Sequence, residues 1–228
     1  MAAPRMLQVA IPIFKDVTAL DFVGPYEPLH ALPNVNVVFV SHSKGLCDAD
    51  QALSFQATAT FDEIPSPDII IVPGGKGTNA LMTDKPLINW LRKAHETSMY
   101  TTSVCTGSML LGAAGILKGL EATTHWMLME TLPKFAAKPV KSRVVQQGKV
   151  ITAAGVSAGI DMGLKLVALL SDEKTAKVVQ LLLEYDPQPP FSCGSPATAG
   201  PELVAIALAL AEKNMPELKH EGAAILEN

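Results

Sequence analysis

The chain has 228 residues and a formal net charge of −4, a mild acidity that leaves no basic footprint for nucleic acid. Its length suits one substantial core, and no composition shift divides it, so residues 1–228 read as a single α/β domain. Hydrophobic residues make up 48%, an excess that predicts apolar surface hidden in a homodimer, while the longest apolar run, 203–211, falls well short of a bilayer span.

Residues 7–14 (LQVAIPIF) read as a buried first strand, with Lys15-Asp16 following too soon for a signal segment. Asp21-Phe22-Val23-Gly24-Pro25 then open a helix that reaches about Leu32. Residues 36–41 (NVVFVS) form a second strand, and short alternating pieces over 46–61 suggest a small hairpin. The near-continuous β-branched run 68–72 (DIIIV) marks a central strand covered on both faces. It ends in the glycine-rich turn Pro73-Gly74-Gly75-Lys76-Gly77.

An amphipathic helix over 86–96, a strand over 99–104 and a helix over 106–117 follow. Residues 121–124 read as a short strand before a helix beginning near Trp126. Residues 140–145 and 149–152, joined through Gln147-Gly148, read as a hairpin, and helices follow over 156–170 and 174–185. The stretch 186–201, loaded with Pro, Gly and Ser, is expected to be an extended loop. A last apolar helix covers 201–213, and the polar tail beyond it is expected to fray.

Alternating strands and helices predict an α/β sandwich around a mostly parallel sheet, in which ligands bind at the carboxyl ends of the strands. Asp21, Gly74-Gly75 and Cys105 each follow a predicted strand. Cys105 lies in Ser103-Val104-Cys105-Thr106-Gly107-Ser108, a strand-to-helix elbow crowded with small residues. A thiol there faces the positive end of a helix, which favours thiolate; an unperturbed cysteine is only about 3% ionised at neutral pH. The competing reading is a buried structural cysteine.

Nucleophilic addition also needs donors for developing charge and a group that moves protons. Backbone N–H groups at Gly75 and Thr106 are placed to be the donors, unless Gly74-Gly75 is an ordinary tight turn. Asp21, set among Ala19-Leu20 and Phe22-Val23, is the candidate acid or base, since burial raises a carboxyl pKa. The alternative reading is a helix N-cap. His125 stands 20 residues after Cys105 and suggests either a Cys–His pair or a satisfied structural histidine. Small residues at 153–160 permit close helix–sheet approach, with Val156 toward the cleft, and Asp161 complements a helix N-terminus. Cys47, Cys105 and Cys193 show no metal-ligand spacing, and an odd count of free thiols suits a reduced, cytoplasmic compartment.

Taken together, LDFVGPYE (20–27), IVPGGKGT (71–78), TSVCTGSMLLGAAGIL (102–117), ATTHW (122–126), AAGVSAGIDMGL (153–164) and LLLEYDPQPPFSCGSP (181–196) resemble the PfpI-like superfamily, related to class I glutamine amidotransferases. The LEYDPQPPF stretch resembles the branch that hydrates isocyanides. The resemblance implies a flavodoxin-like three-layer α/β fold, a homodimer, no cofactor and a small-molecule isocyanide substrate. It puts the nucleophile on Cys105, the acid/base on Asp21 and supporting donors on Thr106 and Gly75; Gly74, Val156 and His125 read as lining the substrate pocket. Protease-like and several glyoxalase-like relatives carry a histidine after the nucleophile, where this chain has Thr106. Others use a glutamate where this chain has Asp21, and Ala154 stands where a glycine is expected. The rival readings are redox sensing through oxidation of Cys105, a glyoxalase or deglycase of the same fold, and a ligand-sensing domain like those of AraC-type regulators. Against the last, the chain reaches Asn228 without a basic helix-turn-helix segment.

Overall fold

The four residues Ile69–Val72 are fully buried and apolar, which is possible only for a strand with layers packed on both faces. The computed structural model, which describes residues 5–49 and 52–214, places that strand at the centre of a seven-stranded sheet. In chain order the elements are β1 (Leu7–Pro12), α1 (Ala19–His30), β2 (Val35–Ser41), β3 (Gly45–Asp48), β4 (Ser54–Ala57), β5 (Ala59–Thr60) and β6 (Ile69–Val72). Then come α2 (Thr78–Leu81), α3 (Lys85–Thr97), β7 (Tyr100–Val104), α4 (Gly107–Ala113) and β8 (Glu121–Ala122). A 3-10 helix (Trp126–Phe135), β9 (Lys138–Pro139), β10 (Val144–Gln147), β11 (Val150–Ala153), α5 (Ala158–Leu170), α6 (Glu173–Leu182) and α7 (Pro196–Asn214) complete the chain.

The sheet order is β10-β11-β7-β6-β1-β2-β5, parallel throughout except for the antiparallel β10–β11 pair. Helices α1, α5 and α6 pack together, as do α3 and α4, giving the flavodoxin-like three-layer α/β arrangement. Three neighbouring strands, β7, β6 and β1, point the same way, so the chain leaving each of them emerges at one edge.

Several expected elements are redrawn by backbone geometry. The helix expected over 106–117 stops at Ala113, and Gly115 follows at φ 77°, a left-handed conformation that helical continuation cannot use. The strand expected over 121–124 is only Glu121–Ala122, and it pairs with β9 outside the main sheet. The helix at Trp126 is 3-10 rather than α. The 46–61 region does form a hairpin, β3 against β4, and also contributes β5 to the sheet edge. The last helix begins at Pro196 and breaks at Gly200 (φ 79°), so it takes in part of the expected loop. The polar tail lies beyond the described residues. Among those described, no helix is long and apolar enough to cross a membrane.

The small residues that open α5 serve a helix–helix contact as well as the expected helix–sheet one. A Cβ at Gly163 would stand 2.9 Å from Pro25 Cα, and one at Gly159 would stand 3.0 Å from Pro25 Cδ and 3.5 Å from Val104. Gly24 faces Ile160 from the α1 side. Helix α1 therefore lies against α5 at a separation only glycine permits, and that contact sets the position of Asp21. Gly163→Val should lower unfolding stability by roughly 1–3 kcal/mol in urea titration, the usual scale for overpacking a close contact.

Candidate active site

Helix α1 starts earlier than expected, with Thr18 at its N-cap, so Asp21 lies in the first turn and does not cap it. Its side chain is fully buried, and Oδ2 accepts the Gly74 N–H at 2.9 Å. That bond ties the end of β6 to α1. Gly74 leaves no room for anything larger: a Cβ would sit 2.5 Å from both the N and Oγ1 of Thr106 and 2.9 Å from Asp21 Oδ2. Gly107 has a similar reason, since its Cβ would fall 2.1 Å from the Val72 carbonyl. The start of α4 is thus pressed onto the end of β6.

Cys105 occupies the left-handed region at φ 56°, which costs a non-glycine residue roughly 1–2 kcal/mol. Four hydrogen bonds hold it there. Its N–H faces the Ala153 and Ala154 carbonyls at 3.1 and 3.2 Å, and its own carbonyl accepts the Thr124 hydroxyl at 2.9 Å and the Ser108 hydroxyl at 3.2 Å. Strain maintained by so many partners is the pattern of a functional turn. The residue is 6% exposed, so its sulfur sits in a nearly closed space.

The thiol pKa is pushed well above its ordinary value, first by burial and then by the charge of Asp21; hydrogen bonds from the Thr106 amide and hydroxyl act the other way. The lowering expected from a helix N-terminus is outweighed by that burial and by the neighbouring carboxyl. Two neighbouring acids in a dry space cannot both be anions at modest cost, so their titrations are coupled. The form with thiolate beside carboxylic acid carries the same total charge as thiol beside carboxylate. Proton transfer between them therefore creates a nucleophile and an acid together.

The Gly75 amide does not point into the cleft. It donates to Thr106 Oγ1 at 2.9 Å, so its hydrogen is engaged by the threonine. The sequence assigns Thr78 and Thr124 no role and marks Ser108 only as a small residue of the elbow; Thr124 stands beside His125, and Thr78 beside the glycine turn. His125 is half-buried, and burial lowers its pKa and favours the neutral ring. Its Nδ1 accepts the Met127 N–H at 3.4 Å, and a Cβ on Gly155 would meet its Cδ2 at 2.3 Å. Among the described residues no hydrogen bond joins His125 to Cys105. Val156 is half-buried in the turn between β11 and α5, next to the residues whose carbonyls face the Cys105 N–H. Asp161, in the first turn of α5, pairs with Arg143 Nε at 2.5 Å and accepts the Tyr185 hydroxyl at 2.8 Å. Among the described residues no group of His, Cys, Asp and Glu could hold a metal ion.

A parallel α/β sheet with a strained cysteine elbow beside a buried acid defines a recognisable class, and the chain belongs to the DJ-1/PfpI family, whose model matches residues 7–169. Over 193 residues it is 45% identical to the isonitrile hydratase of Pseudomonas putida, spanning 85% of each chain. A crystal structure of a ThiJ/PfpI family protein from Pseudomonas syringae superposes with a TM-score of 0.91 at 35% identity, covering 96% of this chain and 91% of that one. The HTH-type transcriptional regulator CdhR of Pseudomonas aeruginosa is 28% identical over 161 residues, 66% of this chain and 47% of the regulator.

The coupling between the two acids gives a signed expectation. Asp21→Asn removes the negative charge that opposes thiolate formation, so the Cys105 titration should move to lower pH. Iodoacetamide modification of the Cys105 peptide, followed by mass spectrometry against pH, reads that shift.

Proposed function

We propose that this chain hydrates isocyanides, R–NC, to N-formamides, with Cys105 as the nucleophile and Asp21 as the acid and base. The observation that carries the reading is the direct electrostatic and hydrogen-bond coupling of the Cys105 thiol to the Asp21 carboxyl in a nearly closed space. The similarity to an isonitrile hydratase supports the choice of substrate class.

The Cys105 thiolate adds to the terminal carbon of the isocyanide. Asp21, holding the proton, delivers it to that carbon, and the product is a thioimidate, R–N=CH–S–Cys105. Water then attacks the same carbon while the Asp21 carboxylate takes a proton from it. A proton passes from the new hydroxyl to nitrogen as the carbon–sulfur bond breaks, releasing R–NH–CHO and the thiolate. Asp21 ends protonated, as it began, so one water is consumed and no other reactant is needed. Thr106 supplies hydrogen bonds to the sulfur through its amide and hydroxyl, and Gly75 holds that hydroxyl. Gly74, Val156 and the neutral ring of His125 form the pocket wall. An uncharged isocyanide asks for no basic pocket.

With an aryl isocyanide as substrate and formamide appearance as the readout, Cys105→Ala should abolish turnover and Asp21→Asn should reduce it about 10²-fold or more, the usual scale of acid–base catalysis. Substantial turnover by Cys105→Ala would remove covalent catalysis. Parallel incubation with methylglyoxal separates this activity from a glyoxalase or deglycase, which would consume the aldehyde instead.

The active form is a homodimer in this proposal. Helix α7 is apolar on several sides, with Leu203, Ile206, Leu208 and Leu210 each about half exposed, and earlier in the chain Leu181, Leu182 and Phe191 are at least 75% exposed. Covering such side chains in two copies removes on the order of 1,000–1,500 Å², within reach of a stable interface. Leu203→Glu with Ile206→Glu should convert a dimer to monomer in sedimentation velocity. The three described cysteines are free, which suits a reducing cytoplasm.

A further inference from the structure

The hydrogen bonds around Thr106 leave little freedom for its single hydroxyl proton. The Gly75 carbonyl has two acceptor positions. Thr78 fills both, with its N–H at 3.2 Å and its Oγ1 at 2.6 Å. Thr106 Oγ1 reaches the same carbonyl only at 3.3 Å, the longest contact of the group. One lone pair of Thr106 Oγ1 is taken by the Gly75 N–H at 2.9 Å. Thr78 Oγ1 also lies 3.0 Å from Thr106 Oγ1, but its one proton is engaged by the shorter contact to Gly75.

The Thr106 contact is therefore the weakest claim on that carbonyl. The neutral Thr78 oxygen at 3.0 Å and the Cys105 sulfur are other acceptors for the Thr106 proton. Once the sulfur is charged it is the stronger acceptor, because bonds to ions exceed those between neutral groups. Thr78 is only 2% exposed, so water does not stand in for its hydroxyl. The hydrogen bond that Thr106 makes to Cys105 is one that favours the thiolate.

We propose that Thr78 is a positioning residue: by occupying the Gly75 carbonyl, it directs the Thr106 hydroxyl proton to the Cys105 sulfur. The proposal rests on Cys105 being the reacting thiol. Thr78→Val keeps the side-chain shape but vacates one acceptor position on Gly75, and the Thr106 proton turns to fill it. The thiolate then loses a donor.

The test is alkylation of Cys105 by iodoacetamide across pH, read at its peptide by mass spectrometry, with aryl isocyanide turnover measured beside it. Alkylation needs no isocyanide, so its outcome stands apart from the substrate assignment. Thr78→Val should slow alkylation at a fixed pH below the midpoint about tenfold, the scale of one hydrogen bond to a charged group. The kcat for isocyanide should fall similarly while KM stays within about twofold, as expected when an interaction to the reacting atoms is lost. Thr78→Ser should restore both. In a Thr106→Val background, Thr78→Val should add nothing, because the proton it directs is already gone. The proposal is overturned if Thr78→Val titrates like the parent, if Thr78→Ser behaves like Thr78→Val, or if the effect persists undiminished without the Thr106 hydroxyl. Should Thr78→Val not fold, Thr78→Ala measured in the same way decides between these outcomes.

Discussion

Two acids share one dry space at the carboxyl ends of β1, β6 and β7, and the enclosure disfavours a second negative charge. Much of the surrounding structure follows from that constraint. Gly74 N–H fixes one oxygen of the carboxyl, Thr106 presents donors to the sulfur, and both depend on a glycine turn too cramped for a side chain. Burial strengthens each of these hydrogen bonds, and the same burial makes a missing partner costly. A site of this kind is organised by where one proton resides. Chemistry that needs a nucleophile and a proton donor in the same encounter is well served by such an arrangement.

The scaffold delivers this precision through backbone contacts. Helix α1, which carries Asp21, is pressed onto α5 at Gly159 and Gly163, while α4 is pressed onto the end of β6 at Gly107. The Cys105 amide lies against carbonyls from the end of β11 and the residue after it, so β11 holds the turn between β7 and α4 in place. The side chains packed around the elbow are small and hydroxyl-bearing, those of Thr78, Thr106, Ser108 and Thr124.

How far the sequence was legible depended on whether a feature is local. The DIIIV run and the alternation of strands with helices pointed to a central parallel sheet, because periodicity and β-branching reflect burial directly. The elbow around Cys105 was legible from its small residues, which the Val72 carbonyl and Thr106 demand. Asp21 was ambiguous between cap and functional acid because a helix start cannot be placed within a few residues from sequence; Thr18 takes the cap position. Thr78 and Thr124 were hidden for another reason. Thr124 bonds a residue 19 positions away, and Thr78, though it holds Gly75 three residues back, also meets Thr106, 28 positions away; no local pattern records those distant contacts. The short strand at Glu121 was visible, but its pairing with β9, not the main sheet, is a tertiary choice.

The left-handed backbone at Cys105 has an implication for how this turn fares under random substitution. Of the twenty residue types, glycine adopts that conformation with the least penalty. Drift toward conformational comfort would thus erase the sulfur first, and the protein left behind would keep, or even gain, thermal robustness. Retaining a thiol here runs uphill against the local torsional preference.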